Sequence, residues 1–203
     1  KDIIRKPVKL DHVRQVCKKI KDEGMDLVAN FIIGFPTETW TEIRQTFEFA
    51  EELKIDYSKF FIATPLEGTI LHDMVMDNNL MAAHSDTSGQ MKDLNWSTSK
   101  IHSDEWTVDD LTVLRGYEWE RINFSTPEKR KKLASMMGIT EKELAKLRKD
   151  TFSSVTANII NNHSHENSKG EIEVDHHGDH RSIGAETYPG VKLDKGEPVS
   201  FGF

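Results

Sequence analysis

Two short loops carry the residue types best suited to meet a ligand: Gly34-Phe35-Pro36-Thr37-Glu38-Thr39 and Thr64-Pro65-Leu66-Glu67-Gly68-Thr69. Glycine permits close backbone approach, and proline cannot continue a sheet ladder. Each loop follows an apolar run, so each offers backbone N–H and C=O groups at a strand end. Glu38 serves the loop and the start of the next helix, where a carboxylate favours the helix dipole. It is not read as a catalytic base. Cys17, the single cysteine, excludes an internal disulfide framework. It sits at helical spacing with Val13, Val16 and Ile20 and reads as a small core residue. His163, His165 and His176-His177-Gly178-Asp179-His180 could chelate a transition metal. With no cysteine and no regular scaffold, opportunistic affinity is expected there rather than a fixed site.

The elements that must position the loops follow from periodicity. A helix is expected over residues 11–23, with Asp11 as N-cap and Gly24 as its stop. A strand runs from about Met25 to Ile33, and its run from Val28 is apolar enough to be buried on both faces. Thr39 and Glu42 form an S/T-x-x-E capping box, opening a helix to about Leu53. Its inward stripe is Trp40, Ile43, Phe47, Ala50 and Leu53. A second strand, Tyr57 to Ala63, ends in the second loop, and a helix from Ile70 to about Leu80 follows. Such alternation means parallel strands joined by right-handed helical crossovers. Two strands alone do not make a stable parallel sheet, so residues 1–81 read as the last part of a larger α/β barrel or sheet.

Residues 82–105 lose the pattern and read as a linker anchored by Trp96. Residues 106–152 are expected to be helical. Thr107 and Asp110 open one helix, with Val108, Leu111, Leu114 and Ile122 inward. Thr126 and Pro127 open a second, which Gly138 stops. Thr140 and Glu143 open a third, to about Thr151. Residues 153–203 are polar and His-rich, and disorder is expected there.

The chain has 203 residues, 36% apolar and 30% charged, with the polar excess towards its end, leaving the first part able to bury a core. Its net charge of −7 argues against a protein built mainly to coat nucleic acid. No apolar run approaches a membrane span and no signal segment opens the chain. A cytoplasmic setting is expected. The start at Lys1, without Met, suggests a fragment or a processed chain.

The segment from Lys9 to about Asp73 resembles the last third of the radical S-adenosylmethionine enzyme core. The resemblance lies in Ile32-Ile33-Gly34-Phe35-Pro36-Thr37-Glu38-Thr39 and in Pro65-Leu66-Glu67-Gly68-Thr69, with Glu67 where a second proline is common. It implies a partial (β/α)6 barrel whose carboxyl face binds S-adenosylmethionine. It also implies reductive cleavage to a deoxyadenosyl radical, for methylation, cyclisation or rearrangement of a small-molecule substrate, with an electron donor as partner. Ile32 would pack on the adenine, beside Gly34. The backbone of Ala63, Thr64 and Pro65 would border the same ring. Asn30 shares the face of Ile32 and is a candidate contact to cofactor or substrate. The stretch Trp119–Arg130 resembles the extension of the cobalamin-binding group near anaerobic magnesium-protoporphyrin ester cyclase, which adds cobalamin to the expected cofactors.

One departure is decisive. The family holds a 4Fe–4S cluster on three cysteines, and clusters need thiolates in number. This chain has one cysteine. The cluster ligands and the first four strands are therefore expected outside it, and the fragment alone is expected to be inactive.

Two other readings compete. Residues 126–150 hold eight Lys or Arg against four Asp or Glu in a helix–turn–helix spacing, the pattern of a nucleic-acid-binding module. A solvated helical hairpin is the simpler account in an acidic chain. A different (β/α) barrel enzyme, such as an aldolase, would explain the strand-end loops but lacks a clear lysine nucleophile. Lys59 has the opposite parity to Phe60 and Ile62 and reads as solvated or helix-packed.

Overall fold

The computed structural model describes residues 8–82, 99–166 and 172–174. The order is α1 (Leu10–Asp22), β1 (Val28–Ile33), α2 (Trp40–Glu52), β2 (Tyr57–Ile62), α3 (Ile70–Asp77), α4 (Val108–Phe124), α5 (Pro127–Met137), α6 (Glu141–His163), β3 (Ser164–Glu166) and β4 (Ile172–Val174). The chain divides into two compact units, Lys1–Ile159 and Ile160–Phe203. The second holds the end of α6 and the antiparallel pair β3–β4.

In the first unit β1 and β2 are parallel, in register from Val28 opposite Tyr57 to Ile33 opposite Ile62. The helix α2 is the crossover between them. Local chemistry sets the helix ends. Reciprocal capping boxes open α2 (Thr39, Glu42) and α4 (Thr107, Asp110). Thr126 caps α5 ahead of Pro127, and Gly138 ends it in the left-handed conformation. Thr140 and Glu143 bond reciprocally at the start of α6. At α1 the expectation fails: Lys9, not Asp11, holds the N-cap position and gives no side-chain cap. Asp11 instead pairs with Arg14 across one turn.

The sheet has one covered face and one open face. Side chains alternate across a strand. Ala29, Phe31 and Ile33 with Ser58, Phe60 and Ile62 face the helices. Phe60 packs against Phe47 of α2, with ring centroids 4.8 Å apart, and against Phe31 at 5.3 Å. Val28, Asn30 and Ile32 on the other face are exposed. The expectation of a β1 buried on both faces is thus corrected. On that second face Val28 and Ile32 each keep 48% of their surface.

The helix α4 deals with the outer edge of β2. In a parallel ladder alternate residues turn both backbone groups to the same edge. Ala63 donates from its N–H to the Ile33 carbonyl on the β1 side, so Ser58 and Phe60 face outward. The Asn123 side chain accepts from the Ser58 N–H at 2.8 Å and donates to the Ser58 carbonyl at 2.9 Å. Arg115 donates to the Phe60 carbonyl at 3.2 Å. An unpaired strand edge is a liability for aggregation, and here a helix covers it. The opposite edge, on β1, has no partner strand among the described residues. Ion pairs tie the helices together: Arg14 with Glu52 joins α1 to α2, and Arg121 with Glu51 joins α4 to α2.

Trp96 lies outside the described residues, and Trp106 is the anchor that the structure shows. It is buried, and its indole N–H donates to the Glu38 carbonyl at 3.1 Å. The helix α6 runs to His163, past the boundary expected near Thr151. No Gly or Pro interrupts residues 152–163, so the sequence carries no strong helix breaker over that stretch. Residues 175–203, which include His176, His177 and His180, lie outside the described residues.

Candidate functional site at the strand ends

The two loops stand side by side because β1 and β2 end in register, with the Ala63–Ile33 bond of 2.8 Å closing the ladder. The first loop is a tight turn. The Glu38 N–H donates to the Phe35 carbonyl, and the Glu38 carboxylate accepts from the Phe35 N–H, both at 2.8 Å. Burial pushes the Glu38 carboxyl above the usual carboxylate range, against the opposing pull of the Phe35 and Gly34 N–H groups. Glu42 closes the helix cap, so Glu38 serves the loop alone. Glu105 accepts from the Trp40 N–H at 2.9 Å, so the segment before α4 fastens the loop at two points.

Gly34 has φ +81° and is buried. A Cβ built there would lie 2.4 Å from the Leu111 Cδ2 of α4. The close approach that sequence reasoning assigned to a ligand is made here by a core leucine. In the second loop Gly68 also has positive φ, but with nothing within 4 Å of a built Cβ. Thr69 caps α3 through the His72 N–H and donates to the Leu66 carbonyl at 2.6 Å.

The six candidate residues fall into two groups. Asn30 and Ile32 lie on the open face, opposite Lys59 and Phe61 respectively. Gly34, Ala63, Thr64 and Pro65 are buried at the strand ends. Thr64 donates to the Ile62 carbonyl at 3.3 Å, which holds its hydroxyl inside the loop. The open face therefore offers an apolar step, Ile32 with Phe61, beside a polar pair, Asn30 with Lys59. Sequence reasoning read Lys59 as solvated or helix-packed and did not join it to the candidate site. It is exposed, on the side away from the helices, with its ammonium 5.6 Å from the Tyr57 ring centroid. The missing signal was register: Lys59 pairs with Asn30, and that pairing fixes their common face.

No group of three or more His, Cys, Asp or Glu placed to hold a metal occurs among the described residues. Cys17, buried on α1, cannot supply the thiolates of an iron–sulfur cluster. The basic stretch 126–150 is largely engaged within the fold. Lys129 and Arg130 donate to the Ile122 and Phe124 carbonyls, while Lys132, Lys146 and Arg148 pair with Asp26, Asp150 and Glu120. No helix among the described residues is long and apolar enough to cross a membrane.

In open α/β sheets ligands sit outside the carboxyl ends of the parallel strands, the end at which these two loops lie. No protein-family model matches the chain. Curated relatives do match. An uncharacterised methyltransferase of Pyrococcus horikoshii is 47% identical over 106 residues, which are 52% of this chain and 20% of that protein. A ribosomal protein uS12 methylthiotransferase of Hydrogenovibrio crunogenus is 30% identical over 73 residues, 35% of this chain and 16% of that one. A cytidylyl-2-hydroxyethylphosphonate methyltransferase of Streptomyces wedmorensis is 31% identical over 77 residues, 35% of this chain and 14% of that one. These relatives are methyltransferases and methylthiotransferases. The chain spans a fifth or less of the length of each.

Proposed function

We propose that this chain is the carboxyl-terminal portion of a radical S-adenosylmethionine enzyme of the methyl- or methylthio-transferring kind. One observation carries the reading. The motif-bearing loops stand side by side at the carboxyl ends of a parallel pair, and the exposed apolar Ile32 lies on its uncovered face, while the other face is packed and the outer edge is sealed. The names of the relatives support the transfer class.

On this reading the uncovered face is the inner wall of a partial (β/α)6 barrel, and further strands join at the open edge of β1. Ile32 and Phe61 give the adenine of S-adenosylmethionine an apolar surface. The loops of Gly34 and of Ala63–Pro65 set the height of that surface by their own internal bonds. S-adenosylmethionine, when bound, supplies the radical chemistry, and these residues bind and orient it. The 4Fe–4S cluster does not fit this chain, and its ligands are assigned to the preceding part of the protein. The resemblance of Trp119–Arg130 supports cobalamin as a further cofactor. A small-molecule substrate, an electron donor and a cytoplasmic setting complete the proposal.

The test is to sequence the coding region upstream of Lys1. An open frame encoding C-x-x-x-C-x-x-C ahead of further βα units is expected, and a stop codon immediately upstream would overturn the reading. The 203-residue chain, reconstituted with iron and sulfide, is expected to form no deoxyadenosine.

A further inference from the structure

The two strand-end loops are held in different ways. The second closes on itself: the Thr64 and Thr69 hydroxyls donate to the Ile62 and Leu66 carbonyls, and Thr69 caps the helix that follows. The first is tied from outside. Its internal bonds, between Phe35 and Glu38, shape the turn without fastening it to another element. Two bonds from a segment far along the chain do that. The Trp106 indole N–H donates to the Glu38 carbonyl at 3.1 Å, across 68 positions of sequence. The Glu105 carboxylate accepts from the Trp40 N–H at 2.9 Å, across 65 positions. A third contact is steric: Leu111 Cδ2 takes the space that a side chain at Gly34 would need.

The segment that makes these bonds is itself firmly built. The Ser103 N–H donates to the Trp106 carbonyl at 3.1 Å, and the Ser103 hydroxyl oxygen accepts from the Glu105 and Trp106 N–H groups at 3.1 and 3.2 Å. The capping box of Thr107 and Asp110 then joins this turn to α4. Trp106 is 2% exposed, and a buried indole N–H needs an acceptor, which the Glu38 carbonyl supplies. The Trp40 N–H is one of the four that a helix leaves unpaired at its start. A carboxylate there also meets the positive end of the α2 dipole. Residues 34, 38 and 40 are thus each met by α4 or by the turn before it, and Glu105 ends a stretch whose sequence reads as a linker.

We propose that Trp106 and Glu105 are positioning residues for the loop Gly34–Thr39, and that the binding of an adenosyl ligand at Ile32 depends on them. The ligand site is then not complete within the βα segment of residues 1–81: the turn before α4 sets where its first loop stands. The inference rests on the proposed function in one respect, that this loop borders the ligand. Neither residue touches the ligand; each acts through the backbone of the loop it holds.

The experiment follows the 203-residue chain by NMR in two readouts, neither of which needs the 4Fe–4S cluster. Amide hydrogen exchange at Phe35, Glu38 and Trp40 is measured against Ala63, whose N–H closes the strand ladder. Binding of S-adenosylhomocysteine is read from the Ile32 methyl shifts. Trp106→Phe removes the donor and keeps an aromatic ring. It is expected to speed exchange at Phe35 and Glu38 relative to Ala63, and to weaken S-adenosylhomocysteine, each about fivefold, the scale of one hydrogen bond. Glu105→Ala is expected to do the same at Trp40. Glu105→Gln keeps an oxygen that accepts from the Trp40 N–H, so it is expected to restore both readouts, which separates position from charge. The proposal is overturned if Ala63 speeds up as much as the loop amides, which would be a general loss of stability. It is also overturned if Glu105→Gln behaves as Glu105→Ala does. If Trp106→Phe does not fold, the exposed Glu105 decides alone. Binding that is the same in every variant refutes this proposal and leaves the proposed function standing. No saturable Ile32 shift in the wild-type chain refutes the ligand role of the loop, and both readings with it.

Discussion

Replacing Gly34 by alanine probes the contact between the first loop and α4. Two costs combine. The backbone at φ +81° is a conformation that an L side chain rarely adopts, at about 1–2 kcal/mol. The new Cβ also falls 2.4 Å from Leu111 Cδ2 and 3.3 Å from Ile62 Cγ2. Leu111 and Ile62 are fully buried, so neither methyl group swings into solvent. Overpacking of this kind costs about 1–3 kcal/mol. Gly34→Ala is therefore expected to destabilise the chain by about 2–5 kcal/mol. Gly24→Ala is the control. It has a similar φ of +72° but open space around the built Cβ, so only the backbone cost of about 1–2 kcal/mol applies. Urea unfolding measures both, through a shifted midpoint at constant slope. A double-mutant cycle isolates the steric part. In a Leu111→Ala background the closer clash is gone and only the 3.3 Å approach to Ile62 Cγ2 remains, so Gly34→Ala is expected to cost less than in wild type and to fall toward the control. The reasoning is refuted if Gly34→Ala matches Gly24→Ala in the wild-type background, or if its cost is the same with and without Leu111.

Other substitutions test the remaining contacts. Asn123→Ala removes both partners of the buried Ser58 backbone and is expected to cost at least about 1–3 kcal/mol, the desolvation penalty of one unpaired buried group, read in urea. A loss below about 0.5 kcal/mol would mean that water replaces the side chain. Glu38 has a raised folded-state pKa, so the folded chain holds its proton more tightly than the unfolded chain does. Its ionisation therefore removes stability as pH rises from the ordinary Glu range through the folded value. Relative to wild type, Glu38→Gln should gain stability across that window, because the amide oxygen can still accept from Phe35. A difference that is flat with pH, or that shrinks as pH rises, contradicts this. Ile32→Lys lies on the open face and is expected to leave the urea midpoint within about 0.5 kcal/mol of wild type. A large loss would show that something covers that face in solution.

The parts of the fold legible in the sequence are those that local chemistry decides. Thr39 with Glu42, Thr107 with Asp110, and Thr126 with Pro127 mark helix starts because the capping partners lie within one turn. Gly138 marks a stop because the left-handed conformation selects glycine. What stayed hidden depends on distant partners. The apolar stripe of α4 showed Leu111, Leu114 and Ile122, but the same helix also buries Thr112, Arg115, Glu118 and Asn123. Those polar residues break the hydrophobic period, yet Asn123 and Arg115 are inside because an unpaired strand edge needs donors and acceptors. Only knowledge that β2 is an edge would have predicted them. The site was half legible. The motif loops were found, but their glycines have different uses: Gly34 makes room for Leu111, and Gly68 supplies only a backbone angle.

The asymmetry of the sheet bears most directly on what the chain is for. A parallel pair ordinarily has both faces covered and belongs to a larger sheet. Here one face is packed by α2 and α4, and one edge is finished by Asn123 and Arg115. The other face keeps Val28 and Ile32 at 48% exposure, and the other edge presents β1. If this were a sheet merely short of strands, both edges would be bare. On the proposed reading, the edge finished with buried, directional side-chain bonds makes β2 the terminal strand, and further strands join through β1. The open face would then curve inward as strands are added, carrying Asn30, Ile32, Lys59 and Phe61 to the interior and the two loops to its rim. On the proposed reading the exposed apolar surface is the wall of a ligand chamber, and Lys59 gains a reason to stand among apolar neighbours. A charged group there is costly once covered, unless an anion meets it.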